Sequence, residues 1–284
     1  MKQQVTIGLV CLARETYDFR AAKEIYDGII KDLHTIEAVN WLVVEPLVIT
    51  PQDAHVAALT FAAGHADAIV CISGTFHLGH LVFELRKACE VPMLLWGLPE
   101  LPYNGGKIRL NSVCGVNLNA SNLYKAGVND YHVIIQNTID QNWIDAIRVI
   151  AALKGAHVGI AGFRAHGFFN LGVQDNQLFQ HTGVILDHYE LAEIHNVPVT
   201  AEEVEARRAQ LRSVFEVSTL SDFQLTKVAE LSAKLTIFFK TYNLTALAVR
   251  CWPEFARDFG VSPCAAMSLL QSEGLILACE GDVE

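Results

Sequence analysis

Short apolar runs alternate along this chain with stretches whose apolar positions fall three and four residues apart. Residues 5–11 are an unbroken apolar run, as a strand covered on both faces requires. Over 19–33 the positions Ala22, Ile25, Tyr26, Ile29 and Leu33 share one helical face. Residues 41–49 read as the next strand. Thr50 and Pro51 then open a helix, the threonine as its cap and the proline where a missing N–H costs nothing. A strand over 68–72, a helix over 78–88, a strand over 92–96 and a helix over 117–126 follow. A short strand at 133–135 and a long helix over 139–153 complete this half.

Lys154-Gly155 closes the long helix, and the pattern restarts at 156–162, so a domain boundary is expected near 155. Strands are expected at 184–187, 245–249 and 275–279. Thr200 and Glu203 form a capping box for a charged helix reaching about 211, residues 222–242 read as a second helix, and Ser262-Pro263 caps a third. Strand and helix in alternation with short connections predict an α/β fold with doubly wound parallel sheets, in two domains, 1–155 and 156–284. The chain stops directly after its last strand, which leads us to expect a second domain cut short and the whole to be a fragment.

Composition narrows the function classes. Hydrophobic residues make up 51% and charged residues 18% of the 284, which excludes a disordered chain. The mean hydropathy is +0.27, yet no apolar run approaches the ~20 residues that span a bilayer. The N-terminal apolar stretch is too short for a signal peptide. A cytoplasmic protein with no membrane partner is expected. With 21 basic against 31 acidic residues the net charge is −10, which argues against nucleic acid. There are seven cysteines and no C-x-x-C pair; five lie in apolar, strand-like runs and read as reduced small hydrophobes, so a disulfide framework or zinc finger is not expected.

Ligands of open α/β sheets bind outside the carboxyl ends of the strands, so the chemistry is sought there. The first strand leads into Leu12-Ala13-Arg14-Glu15, not a glycine-rich turn, and Gly159-Ile160-Ala161-Gly162 is followed by Phe163 and Arg164, which would crowd a pyrophosphate. No nucleotide cofactor is expected. His77 and His80 lie three apart without a third ligand nearby, so His77 is read as a polar group at a strand end. His34, His65, His132 and His195 read as solvated element ends, and His157 as structural. Glu254 and the pair Glu280/Asp282 each follow an apolar strand, with one helix between. Carboxylates delivered together to one sheet edge suit a hard divalent cation such as Mn2+ or Mg2+; the competing reading is that they cap helices.

Several blocks together carry a resemblance. Gly8-Leu9-Val10 with Arg14-Glu15-Thr16-Tyr17-Asp18, then Ser73-Gly74-Thr75-Phe76 and Leu95-Trp96-Gly97-Leu98-Pro99-Glu100, resemble the L-fucose/L-arabinose isomerase family. So do Gly162-Phe163-Arg164, Arg250-Cys251-Trp252-Pro253-Glu254-Phe255 and Ala278-Cys279-Glu280-Gly281-Asp282-Val283, with the likeness closer to the L-fucose isomerase-like branch. The resemblance implies two consecutive Rossmann-like domains, a homo-oligomer (trimer or hexamer), and aldose–ketose isomerisation with Mn2+, or Mg2+ or Co2+ in its place. It implies Glu254 as first metal carboxylate and base at the sugar's C2. The second carboxylate is Asp282 on the fucose-isomerase pattern or Glu280 on the arabinose-isomerase one, with Asp282 assisting proton transfer. Arg14, Thr75, Phe76, His77 and Trp96 fall in motifs that touch substrate, in some members across a subunit boundary. Family members continue well beyond this match, into a β-rich domain that carries the third metal ligand, a histidine. A non-catalytic sugar-binding α/β module is the alternative function.

Overall fold

The computed structural model describes residues 2–103 and 105–283. The chain divides into two compact units, Met1–Ala152 and Leu153–Glu284. The first holds β1 (Val5–Leu12), α1 (Phe19–Leu33), β2 (Val39–Val43), α2 (Pro51–Ala63) and β3 (Ala68–Ser73), then α3 (His80–Ala88), β4 (Met93–Gly97), α4 (Ser112–Lys125), β5 (Tyr131–Ile135) and most of α5 (Gln141–Lys154). Its five strands are all parallel in the order β2-β1-β3-β4-β5. The register runs from Val5↔Val39 on one side of β1 to Leu12↔Ser73 on the other. Both faces are covered. Tyr26 of α1 and Trp143, Ile144 and Ile147 of α5 pack against one. Phe61 of α2, Leu81 and Leu85 of α3 and Leu123 of α4 pack against the other. Burial on both sides is why β3 and β4 are apolar almost throughout.

The second unit holds β6 (His157–Ala161), α6 (Asp175–Thr182), β7 (Ile185–Tyr189), α7 (Leu191–His195), α8 (Ala201–Val214), α9 (Asp222–Tyr242), β8 (Ala246–Val249), α10 (Cys264–Ser272) and β9 (Ile276–Ala278). Its four strands are again parallel, in the order β7-β6-β8-β9. One face is thickly covered: Leu191, Leu211, Leu235, Phe238 and Leu270 belong to a single buried cluster there. The other carries a much smaller cluster around Ile160, Leu186 and Ala248, with Val173 and Leu178 packed on it. The fold is thus α/β, two Rossmann-like parallel-sheet domains in succession.

Local sequence chemistry sets most element starts. Asp18 Oδ1 accepts the Ala21 N–H at 3.0 Å to cap α1. Thr50 with Asp53, Thr200 with Glu203, and Ser221 with Gln224 form reciprocal capping boxes on α2, α8 and α9. Elsewhere the structure departs from the pattern. β2 ends at Val43 rather than running to 49, because Pro46 lies beyond it and only an isolated Leu12↔Val48 bridge continues the pairing. α4 begins at Ser112, after Asn111 in a left-handed conformation, five residues before the periodic stretch. Pro263 rather than Ser262 stands at the N-cap of α10, with no side-chain cap bond. α6 and α7 have no counterpart in the pattern.

Candidate functional site

In a parallel sheet the strand order reverses at one place, and the loops there leave a crevice at the carboxyl edge. The reversal falls between β1 and β3 in the first unit and between β6 and β8 in the second.

At the first edge most polar groups are spent on holding loops. Thr75 is fully buried; its Oγ1 accepts the Arg14 N–H at 2.8 Å and its hydroxyl donates to Phe76 O at 2.9 Å. Glu100 gathers the backbone N–H groups of Leu101, Arg109, Leu110 and Asn111 at 2.7–3.1 Å. Burial works against ionising Glu100, but those four donors outweigh it and hold the carboxyl below its ordinary value. Asp18 Oδ2 accepts from Arg109 Nη2 and Nε at 2.8 and 2.9 Å, tying the same loop to the start of α1. The Ala21 N–H first, then Arg109, holds the Asp18 carboxyl below its usual range.

Two expectations are corrected here. His77 is not presented to a ligand: it is 0% exposed, and its Nε2 accepts from Ser73 Oγ at 2.9 Å and Asn119 Nδ2 at 3.4 Å while Nδ1 donates to Leu78 O. Burial favours the neutral ring and lowers its pKa to about 4. Trp96 likewise lies within the core, its Nε1 donating to Gln136 O at 2.8 Å. Trp96 lies within β4, which is buried along its length, and His77, four residues beyond β3, is held under α4 by Asn119. Of the five expected contact residues, Arg14 is exposed, Phe76 is half-buried against Tyr17 at 6.0 Å, and Thr75, His77 and Trp96 are buried.

At the second edge three loops interlock. The Arg250 N–H donates to Ala161 O, the Gly281 N–H to Val249 O and the Ala165 N–H to Glu280 O, at 2.9–3.1 Å. Glu254, just before a π-helical turn at Phe255–Phe259, has Oε1 3.3 Å from Arg250 Nη2, while Oε2 is buried with no hydrogen-bond partner. Glu280 stands at φ +61, its Oε1 accepting from Cys251 Sγ at 3.3 Å and its Oε2 buried without a partner. The Asp282 N–H donates to Cys279 O at 3.1 Å and its side chain is half-buried. Carboxylate oxygens left without protein donors are costly unless something else satisfies them. They have the chemistry of hard-cation ligands, so the residues present fit a divalent ion of the Mn2+ or Mg2+ kind.

The expected set Glu254, Asp282 and Glu280 does not close as a triplet. Among the described residues, the group of three His, Cys, Asp or Glu side chains whose ligand atoms lie within 4.8 Å of one another is Cys251, Cys279 and Glu280. Cys251 is buried and Cys279 exposed, and neither forms a disulfide. The signal that could have found them is positional, since each follows one of two neighbouring parallel strands, β8 and β9. Burial first, then the Glu280 carboxylate, raises the Cys251 thiol to about 11. His195 is not a solvated end either: its ring packs on Phe255 at 4.9 Å and Phe259 at 5.5 Å, and burial lowers its pKa. Phe163 (φ +60) and Phe169 are exposed on this edge, each with the Arg164 guanidinium 5.6 Å from its ring centre.

The fold and this edge define the class: a two-domain α/β protein with partnerless carboxylate oxygens at adjoining strand ends. No family model matches the chain. It is similar to the sulfoquinovose isomerase of Priestia aryabhattai, 27% identical over 99% of this chain and 64% of that protein. It is also similar to those of Alkalicoccus urumqiensis (27%, over 84% and 55%) and Clostridium sp. strain MSTE9 (25%, over 74% and 49%). The chain therefore spans less than two thirds of the length of these curated relatives. The likeness is to sugar isomerases at large and does not single out the L-fucose isomerase-like branch. Among solved structures, an L-rhamnose-bound solute binding protein from Clostridium phytofermentas aligns over 97% of this chain and 67% of its own at 13% identity. Its TM-score of 0.24 carries no argument.

Proposed function

We propose that this chain is the carboxylate-bearing part of a metal-dependent aldose–ketose isomerase. The observation that carries the reading is the pair of buried oxygens without hydrogen-bond partners, Glu254 Oε2 and Glu280 Oε2, at the ends of neighbouring strands. The similarity to sulfoquinovose isomerases over nearly the whole chain supports it. Glu254, with Glu280 or Asp282, would hold Mn2+, and Mg2+ or Co2+ could take its place. Such an ion, when bound, supplies a Lewis acid that stabilises negative charge on the oxygens of C1 and C2.

Glu254 would act as the base. Its Oε1 lies 3.3 Å from Arg250 Nη2, an ion pair that would keep the carboxylate ionised and oriented toward C2 of the open-chain aldose. Asp282 assists the transfer from the other side. Phe163, Phe169 and Trp252 are exposed in the second unit and would offer apolar faces to a bound sugar ring. At the first unit's own edge Arg14 is exposed and Phe76 half-buried. The substrate is a small aldose, and sulfoquinovose, the sugar in the relatives' name, stands first for testing beside L-fucose, L-arabinose and D-arabinose.

Isothermal titration calorimetry separates this reading from a non-catalytic sugar-binding module. The isomerase reading expects sugar binding that strengthens with Mn2+ and loses that strengthening in Glu254→Gln. Sugar binding indifferent both to Mn2+ and to Glu254→Gln would overturn it in favour of the module.

A further inference from the structure

The thiol pair at the second edge is not used by the proposed reaction. Cys251 lies two residues beyond β8 and Cys279 immediately after β9, and these strands pair in parallel with Ala248 opposite Ala278. Adjacent strand ends thus bring two sulfurs and the Glu280 carboxylate within 4.8 Å of one another. Cys251 is buried and Cys279 exposed, so the cluster has a supported inner side and an open outer one. Glu280 adds an independent sign of a missing ligand: its Oε2 is buried with no partner, while Oε1 already takes the Cys251 S–H at 3.3 Å. Its φ of +61 is an uncommon conformation for a residue with a Cβ.

We propose that Cys251, Cys279 and Glu280 form a binding site for a borderline-soft divalent cation, of which Zn2+ is the type. Zn2+ takes thiolate and carboxylate ligands in a tetrahedron with bonds of roughly 2.3 Å to sulfur and 2.1 Å to oxygen. Those bonds set ligand atoms roughly 3.5–3.8 Å apart, so side-chain rotation of about an ångström closes the group. Binding exchanges two S–H protons for the ion, 2 RSH + Zn2+ giving Zn(SR)2 + 2 H+, with no oxidation or reduction. Two sulfurs select against Mn2+ and Mg2+, which prefer oxygen. The fourth position faces solvent on the Cys279 side. The site stands on its own geometry, whatever reaction the neighbouring carboxylates serve. Because Glu280 belongs to both ligand sets, Zn2+ held here withdraws it from the hard-cation group.

Co2+ is the spectroscopic probe. It is titrated into the 284-residue chain with a phosphine reductant that keeps the thiols reduced. The expected result is a thiolate-to-Co2+ charge-transfer band with intense visible bands of tetrahedral coordination. Both are abolished by an equivalent of Zn2+ and untouched by excess Mg2+. Cys279→Ser, an exposed change, should weaken Zn2+ binding by more than the roughly tenfold to hundredfold cost of losing an outer-shell partner. Cys114→Ser and Cys264→Ser, which remove the other exposed thiols, should leave it unchanged. Absence of the charge-transfer band in the wild type, or its survival in Cys279→Ser, overturns the proposal. X-ray absorption at the zinc edge needs no variant: two sulfur neighbours are expected, and a shell of oxygen and nitrogen alone would refute the site.

Discussion

Gly281 separates the two candidate carboxylates Glu280 and Asp282, and replacing it by alanine measures how tightly their turn is built. Its φ is +78, and a Cβ there would stand 2.3 Å from Phe163 O and 2.8 Å from the Arg164 Cα. Both are backbone atoms, so no side-chain rotation relieves the contact. An L-residue in the left-handed region costs roughly 1–2 kcal/mol, and forcing backbone apart adds about 1–3 kcal/mol. Gly274 supplies the control, since it has φ +87 and a Cβ added to it would meet nothing within 4 Å. Gly274→Ala should therefore cost only the conformational part, about 1–2 kcal/mol, and Gly281→Ala about 2–5 kcal/mol. Tryptophan fluorescence would blur the result, because Trp41, Trp96 and Trp143 all lie in the first unit and Trp252 alone in the second. Native-state hydrogen exchange of the β6 and β8 amides reads the second unit directly. Equal losses of protection in the two variants would refute the close packing of this turn on Phe163 and Arg164.

The buried neutral His77 makes the first unit acid-sensitive. Its pKa falls from 6.5 unfolded to about 4 folded, so the unfolded chain binds the extra proton and stability drops as pH falls from about 6.5 to about 4, by about 3 kcal/mol. Hydrogen exchange of β3 across that range checks it, and a His77→Gln variant should lose this part of the slope. Glu100→Gln should loosen the loop it anchors, at roughly 2 kcal/mol for charge-assisted bonds weakened together; the measurement is trypsin cleavage after the exposed Lys107, expected to accelerate. The depressed Glu100 carboxyl gives the same loop protection that is present above the unfolded carboxylate pKa and is lost as pH falls through the folded one.

What the sequence disclosed and what it withheld follow from the range of the forces involved. α1 and α9 occupy the expected spans 19–33 and 222–242, and Asp18 and Ser221 fix their starts within one turn. β1, β3 and β4 were legible because strands covered on both faces need continuous apolar runs. α6 was not legible, since it buries no residue completely and so leaves no apolar stripe. α4 begins in Ser112–Val116, a segment whose β-branched residues and glycine read as anything but helix. At the site, strand ends could be found from topology, but side-chain direction could not. Whether His77 faces solvent or Asn119 depends on α4 packing over it, and whether Cys251 is a filler or a ligand depends on β9 lying beside β8. Both are pairings between segments about thirty to forty residues apart.

Conversion of aldose to ketose is the most direct test of the central claim. The protein, extended to the length of the curated relatives of which this chain spans 64% or less, is incubated with Mn2+ and, separately, sulfoquinovose, L-fucose, L-arabinose and D-arabinose, with products followed by proton NMR in deuterium oxide. The account predicts that at least one sugar yields its ketose, and that Glu254→Gln, which keeps the shape of the side chain but removes its basic oxygen, abolishes the conversion. A wild type that converts none of them, or a Glu254→Gln variant that converts as fast as the wild type, would contradict it.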